Sequence, residues 1–321
     1  MILVAGGSGF IGKAIVRELL ARGLPVAVLS HRAGSGGMAL DGGSVELRRG
    51  DVTDAATLPA ALAGVDTVIG AVQFHDFPNQ NRAKGLTFDN VDRRGTENLV
   101  AAAKAAGVRR YVYISGAGAA PDAEQVWFRA KWGAETAIRE SGLQALIVRP
   151  SWVFGPDDNA LNKYVAFVRS PLPVVPVIGD GRQRLQPVFV DDVARLVADS
   201  IERKGAAEGT FEIGGPQVLT MDAIIREVER ALGKRKPLVH QPVWLMKALF
   251  APKAWLHALP LPLTPEGVEF ATMDATADTG PLLAAFPGFR LTPLREGLES
   301  YLKRDGNRAV KASDGTRSTE V

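Results

Sequence analysis

Three glycines carry the first recognisable chemistry in this 321-residue chain: Gly6, Gly9 and Gly12, in Val4-Ala5-Gly6-Gly7-Ser8-Gly9-Phe10-Ile11-Gly12, behind an apolar start. At this spacing the first glycine turns the backbone tightly, the second admits a pyrophosphate, and the third lets the next helix lie close on the strand. Unpaired N–H groups in the first turn of that helix then face the phosphates. The triplet follows a strand pattern, precedes a helical pattern over Phe10–Ala21 and leads to a strand pattern over Pro25–Leu29, the context that a dinucleotide grip requires. Gly6, Ser8, Gly9, Phe10 and Ile11 are therefore the expected cofactor contacts.

Charge at the end of the second strand bears on which nucleotide is held. Sites for NAD usually place a carboxylate there, on the adenosine ribose. Here the strand ends Leu29-Ser30-His31-Arg32, and no Asp or Glu occurs between Glu18 and Asp41. Arg32 suits a charge-assisted fork on a 2′-phosphate, so NADP(H) is favoured over NAD(H); the alternative leaves His31 and Arg32 as solvated loop residues. Beyond the fourth strand, the segment from Gln73 to Asp89 carries His75. A histidine there is either a proton donor near neutral pH or an ordinary loop residue.

The elements that must position these residues alternate. Strand patterns at Ile2–Ala5, Pro25–Leu29, Val45–Arg48, Thr67–Val72, Arg110–Ser115 and Ala145–Arg149 interleave with helical ones at Phe10–Ala21, Ala55–Leu62, Asp89–Ala106 and Val126–Ser141. This is the rhythm of an α/β doubly wound parallel sheet, a Rossmann architecture, whose ligands bind beyond the C-terminal strand ends. After Pro150 the rhythm loosens, which predicts a nucleotide-binding domain over 1–155 with return elements near 187–215. A smaller C-terminal substrate or partner lobe is expected over 156–186 and 216–302, and a polar, disordered tail over 303–321.

Composition excludes several functions. There is no cysteine, and His31, His75, His240 and His257 lack ligand spacing, so no metal site is expected. The net charge of +3 comes largely from the tail, whose five Lys/Arg face three Asp/Glu. No basic cluster marks a nucleic-acid face. A fold that starts at the first residue, with no leader pattern and no apolar run approaching about 18 residues, points to a cytoplasmic protein.

The glycine motif, together with Gly50-Asp51-Val52-Thr53-Asp54, Gly95-Thr96-Glu97-Asn98-Leu99, Arg149-Pro150-Ser151-Trp152-Val153-Phe154-Gly155-Pro156 and Val190-Asp191-Asp192-Val193-Ala194, resembles the extended and atypical short-chain dehydrogenase/reductases over residues 1 to 300 or so. Within them the chain looks most like the branch that holds the NADPH-binding accessory subunit of respiratory complex I and the NmrA-like proteins. The resemblance implies cofactor contacts at Asp51, where a carboxylate accepts from the adenine amino group, and at Val52, Ala71 and Lys131. Asp51 also reads as a turn aspartate closing on its own backbone.

The same resemblance exposes departures. Active relatives carry a Tyr and a Lys four residues apart on one helix face, the lysine lowering the phenol pKa, and a nearby Ser polarising the carbonyl. Here the helix reads Val126-Trp127-Phe128-Arg129-Ala130-Lys131-Trp132: the lysine is Lys131, and Trp127 takes the tyrosine's place. An indole N–H donates but cannot shuttle a proton near neutral pH. In Tyr113-Ile114-Ser115-Gly116 the catalytic hydroxyl position aligns with Gly116, and Asp92 stands where a structural Asn is frequent. Lys131 is read as holding the nicotinamide ribose, against an exposed salt-bridging lysine; Trp127 and Trp132 either cover the nicotinamide or pack. The chain is thus either an NADPH-dependent oxidoreductase on a small apolar molecule or a non-catalytic NADP(H)-binding accessory subunit or redox sensor with a protein partner.

One further segment, Pro242 to Leu256, is apolar nearly all round, interrupted by Lys247 and Lys253 and broken by Pro252. It is expected to be buried as a lid or core element; the alternative is a surface for a partner, a respiratory complex or a peripheral membrane contact.

If Arg32 meets a 2′-phosphate, calorimetry should show NADPH bound more tightly than NADH by about 1–3 kcal/mol. Arg32→Ala should remove most of that preference and leave NADH affinity nearly intact; equal or reversed affinities in the unaltered protein would overturn the assignment.

Overall fold

The computed structural model describes residues 1–31, 38–40, 43–74, 77–203, 208–250 and 265–302. The chain divides into two compact units, one formed by Met1–Ser151, Val190–Gly214 and Ala277–Arg290, the other by Trp152–Phe189, Gly215–Thr276 and Leu291–Val321.

The first unit is built on β1 (Ile2–Ala5), α1 (Phe10–Ala21), β2 (Val26–Ser30), β3 (Met38–Leu40), β4 (Gly43–Arg49), α2 (Leu58–Ala61), β5 (Thr67–Gly70), α3 (Gly95–Ala105), β6 (Arg110–Ile114), α4 (Val126–Glu140) and β7 (Gln144–Pro150). The strands join one sheet in the order β12-β7-β6-β5-β1-β2-β4-β3, where β12 is Gly209–Ile213. All pairs are parallel except β3 with β4. Because side chains alternate across a strand, Leu3, Ala27, Val68 and Tyr111 are in register on one face and pack with Leu58, Leu62, Leu99, Ala103, Ala134 and Ile138 of α2, α3 and α4. Helix α1 packs against β1, β2 and α6 (Val190–Glu202). At its C-terminus, Arg22 ion-pairs with Glu18, Asp199 and Glu202 at 2.6–2.7 Å.

The helix expected over Asp89–Ala106 begins as π-helical turns over Phe88–Arg94, capped where Thr87 Oγ1 accepts from Asn90 N, and becomes α-helical only at Gly95. The helix expected over Ala55–Leu62 likewise starts as a 3-10 turn, Ala55–Thr57, held by Asp54.

The second unit contains β8 (Trp152–Phe154), α5 (Leu161–Arg169), β9 (Val175–Ile178), β10 (Arg184–Leu185), β11 (Pro187–Phe189), β13 (Leu219–Thr220), α7 (Met221–Ala231), β14 (Leu238–Gln241), α8 (Val243–Phe250) and α9 (Pro265–Thr272). Its strands form short pairs, β8 with β11, β9 with β14 and β10 with β13. A last short helix, α10 (Gly280–Ala285), belongs to the first unit.

The apolar segment forms α8 up to Phe250; the expected burial holds for Met246, at 8% exposure, and fails for Trp244, at 71%. Val243 and Met246 of α8 cluster with Val268 of α9 and Ile178 of β9, and Trp244 takes no part in that cluster. The rest of 242–256 and the tail lie outside the described residues.

The contact between α1 and β1 leaves no room for a side chain. A Cβ on Gly12 would lie 2.1 Å from the Gly6 carbonyl oxygen and 2.7 Å from its carbon, both backbone atoms. Gly12→Ala should therefore cost at least the ~1–3 kcal/mol of an overpacked core, read as a lowered denaturation midpoint; an unchanged midpoint would show that α1 is free to move off the strand.

Candidate functional site

The C-terminal ends of the parallel strands bring together residues far apart in the chain: Gly6 after β1, Asp51 after β4, Ala71 after β5 and Ser115 after β6. Gly6 has φ +83°, and a Cβ on it would lie 2.3 Å from the Ala71 carbonyl oxygen. The Gly6 carbonyl accepts from Gly9 N at 2.9 Å, closing the turn that launches α1. Gly9 caps α1 without a side-chain bond, and the first turn holds no acidic residue. A backbone cradle of this kind, with the first-turn N–H groups left without intrahelical partners and no acidic residue in that turn, fits the pyrophosphate of a dinucleotide. Ser8 and Gly9 are exposed on it, and Gly6, Phe10 and Ile11 are half-buried.

Asp51 sits beyond β4 and behaves as a turn residue. Its Oδ1 accepts from Thr53 N at 2.8 Å and Thr53 Oγ1 at 2.7 Å. Val52 is buried under Gly95, and its carbonyl accepts from Asn98 Nδ2 at 2.9 Å. Ala71 N donates to Ala5 O at 2.9 Å, locking that loop to β1. His31 is exposed at the end of β2; Arg32 and His75 lie outside the described residues.

Lys131 is not the exposed lysine of the alternative reading. Its Nζ lies 3.0 Å from Asp92 Oδ1, with both side chains buried at 5% and 0% exposure. It also lies 3.4 Å from Ile114 O and 5.2 Å from the ring centre of Tyr113. Burial alone would lower the lysine pKa, but Tyr113 and Asp92 outweigh it and hold the ammonium above its ordinary range. Burial pushes the Asp92 carboxyl up, against the pull of Lys131. Among the described residues no hydroxyl, amide or backbone N–H supports that carboxylate, so Lys131 is its one charge partner.

Trp127 is half-buried, and its indole lies against Gly116: a Cβ there would be 3.1 and 3.2 Å from ring carbons Cζ2 and Cη2. The ring also meets Phe128 at 4.3 Å and Phe77 at 5.4 Å between centres, at the edge of a cluster with Phe74 and Phe88. Ser115, the remaining hydroxyl, is occupied. It donates to Glu135 Oε1 at 2.6 Å, and the Glu135 carboxylate also binds Arg149 at 2.6 and 2.8 Å and Arg139. Trp132 stacks under those guanidiniums, 4.7 and 5.7 Å from its ring, and so packs.

A family model described as NAD(P)H-binding matches residues 6–204, and the chain belongs to that NAD(P)H-binding family. The chain is similar to an alpha-subcomplex subunit 9 of mitochondrial NADH dehydrogenase (ubiquinone) from Arabidopsis thaliana, 28% identical over 86% of this chain and 69% of that protein. It is similar also to an NAD(P)H azoreductase from Xenophilus azovorans, 29% identical over 73% of this chain and 74% of the other. Among solved structures the UDP-glucose 4-epimerase of Thermus thermophilus in complex with NAD shares the fold, with a TM-score of 0.71 at 24% identity over 93% and 96% of the two chains.

Reading the sequence missed three arrangements. The Lys131–Asp92 pair joins two helices 39 positions apart, beyond any local spacing rule. The Glu135 cluster had a local signal, since Glu135 stands one turn after Lys131. In the second unit His240 Nε2 lies 2.9 Å from Asp222 Oδ1, beside a cleft of about 530 Å³ bordered by Gly179, Asp180, Gln183 and Val243. No helix among the described residues is long and apolar enough to cross a membrane.

Breaking a buried ion pair on one side typically costs about 3–5 kcal/mol. Asp92→Asn should lower stability by that order in chemical denaturation, whereas Asp92→Leu with Lys131→Met should cost less than the sum of its single changes. Additive losses would show the two groups to be uncoupled.

Proposed function

We propose that this protein binds NADP(H) on the Gly6–Ile11 cradle and acts as a nucleotide-holding accessory or sensing protein without carbonyl-reducing chemistry of its own. The observation that carries the reading is Trp127, whose indole fills the tyrosine's place and lies against Gly116, where the polarising hydroxyl would project. A bound reduced nicotinamide would supply hydride, and hydride delivered to a carbonyl leaves an alkoxide that needs a proton. Among the described residues beside that position none offers one: Trp127 cannot, Ser115 is bonded to Glu135, and Lys131 is held by Asp92; His75 lies outside the described residues. The similarity to a complex I subunit supports a protein partner. The preference for NADP(H) rests on Arg32 and on the lack of acid from residues 19 to 40.

A second reading, reduction of an apolar acceptor that takes its proton from water, is favoured by the azoreductase relative and by the aromatic cluster around Trp127. One assay separates the two. Under the first reading the protein binds NADPH in calorimetry yet oxidises it negligibly with either simple carbonyls or azo dyes; turnover with azo dyes alone supports the second. General acid catalysis is worth about 10²–10⁴-fold, so Trp127→Tyr with Gly116→Ser should raise carbonyl-dependent oxidation by up to that factor. Wild-type carbonyl reduction at several turnovers per second, insensitive to Lys131→Ala, would defeat both readings.

A further inference from the structure

Trp244 is the most exposed large apolar side chain among the described residues, at 71%, and Leu245 beside it is 38% exposed. Helix α8 puts Val243 and Met246 against α9, while Trp244, Leu245, Lys247 and Ala248 face away. A helix that turns a tryptophan and a leucine outward needs something to cover them.

Charge narrows what that is. From Arg230 through Pro265 the sequence holds Arg230, Lys234, Arg235, Lys236, Lys247 and Lys253 and not one Asp or Glu, in a chain whose whole net charge is +3. Lys234 and Lys236 cap the carbonyls at the end of α5, and Arg230 pairs with Glu227, but Arg235 and Lys247 are exposed. From Val243 to Leu263 the residues are almost all apolar, with Trp244 and Trp255 the aromatic anchors and Lys247, Lys253 and His257 the only breaks that carry or can carry charge. An outward tryptophan and leucine beside Lys247, in a stretch from 230 to 265 whose Lys and Arg are unmatched by any Asp or Glu, match the interfacial zone of a bilayer that contains anionic lipid. The run is interrupted by Pro252, Pro260 and Pro262, which disfavours one continuous spanning helix.

We propose that the α8 segment lies on the surface of anionic membranes, with Trp244 and Leu245 inserted among the acyl chains and Lys247 among the headgroups. This site is independent of the nucleotide cradle. Its test is flotation of the full chain with phosphatidylcholine vesicles, with and without phosphatidylglycerol. The protein should float with the anionic vesicles and stay behind with the neutral ones. Trp244→Asp with Leu245→Asp should abolish flotation while leaving the melting temperature and NADPH binding unchanged, because both side chains are exposed. Lys247→Glu should weaken binding on the order of tenfold, each charge near such a surface being worth about 1 kcal/mol. No flotation of the wild type, undiminished flotation of the double variant, or a lipid-free dimer in light scattering that Trp244→Asp dissolves would each overturn the proposal, the last by assigning the face to a second copy of the chain.

Discussion

The first unit depends on one steric constraint: three backbone segments meet where only glycine fits. Gly6 abuts the Ala71 carbonyl, and Gly12 abuts the Gly6 carbonyl. Through these contacts β1, the loop after β5 and the start of α1 form one rigid corner, and the sheet order then sets Asp51, after β4, and Ser115, after β6, on either side of it along the same sheet edge. Atoms packed that closely have little freedom to adjust, so the direction of the α1 N–H groups is fixed before any anion arrives. Preorganisation of this kind spares binding the cost of ordering the loop.

Beyond the cradle, the polar groups on and facing α4 are engaged within the protein. Lys131 is turned toward Asp92, and Ser115 toward Glu135. A side chain at 116 would press on the Trp127 ring, 3.1 and 3.2 Å from two of its carbons.

Where structure is governed by local rules, the sequence was readable. The periodicity of 10–21 and the glycine behind it marked α1 with the bounds observed, and the βα rhythm anticipated the parallel sheet. The switch to π-helical turns at Phe88–Arg94 was not legible, because one extra residue per turn leaves the apolar pattern of a helix nearly intact. Helices α5 and α7 were passed over in a proline- and turn-rich region, although Thr220 ahead of Ile224, Ile225 and Val228 is a recognisable cap and stripe. In the candidate site, the cradle was legible because its parts are consecutive. The pairing of Lys131 with Asp92 was not, because its two members lie on separate elements that only the topology brings near; Glu135, one turn after Lys131, could have been noticed but not its bond to Ser115.

The discontinuity of the first unit also has a consequence for synthesis. Strand β7 ends at Pro150, but its outer neighbour β12 begins only at Gly209. At about 5–20 residues per second on a ribosome, the outer edge of β7 waits roughly 3–12 s with its hydrogen-bonding groups unsatisfied, during which an apolar strand edge is open to wrong partners. The wait extends further for Gly214, whose N–H is satisfied only when Thr279 has been made. A chain cut after residue 151 would carry that open edge permanently, so the nucleotide cradle, although encoded almost entirely in the first seventy-one residues, belongs to a body that is not complete until nearly the whole protein has been translated.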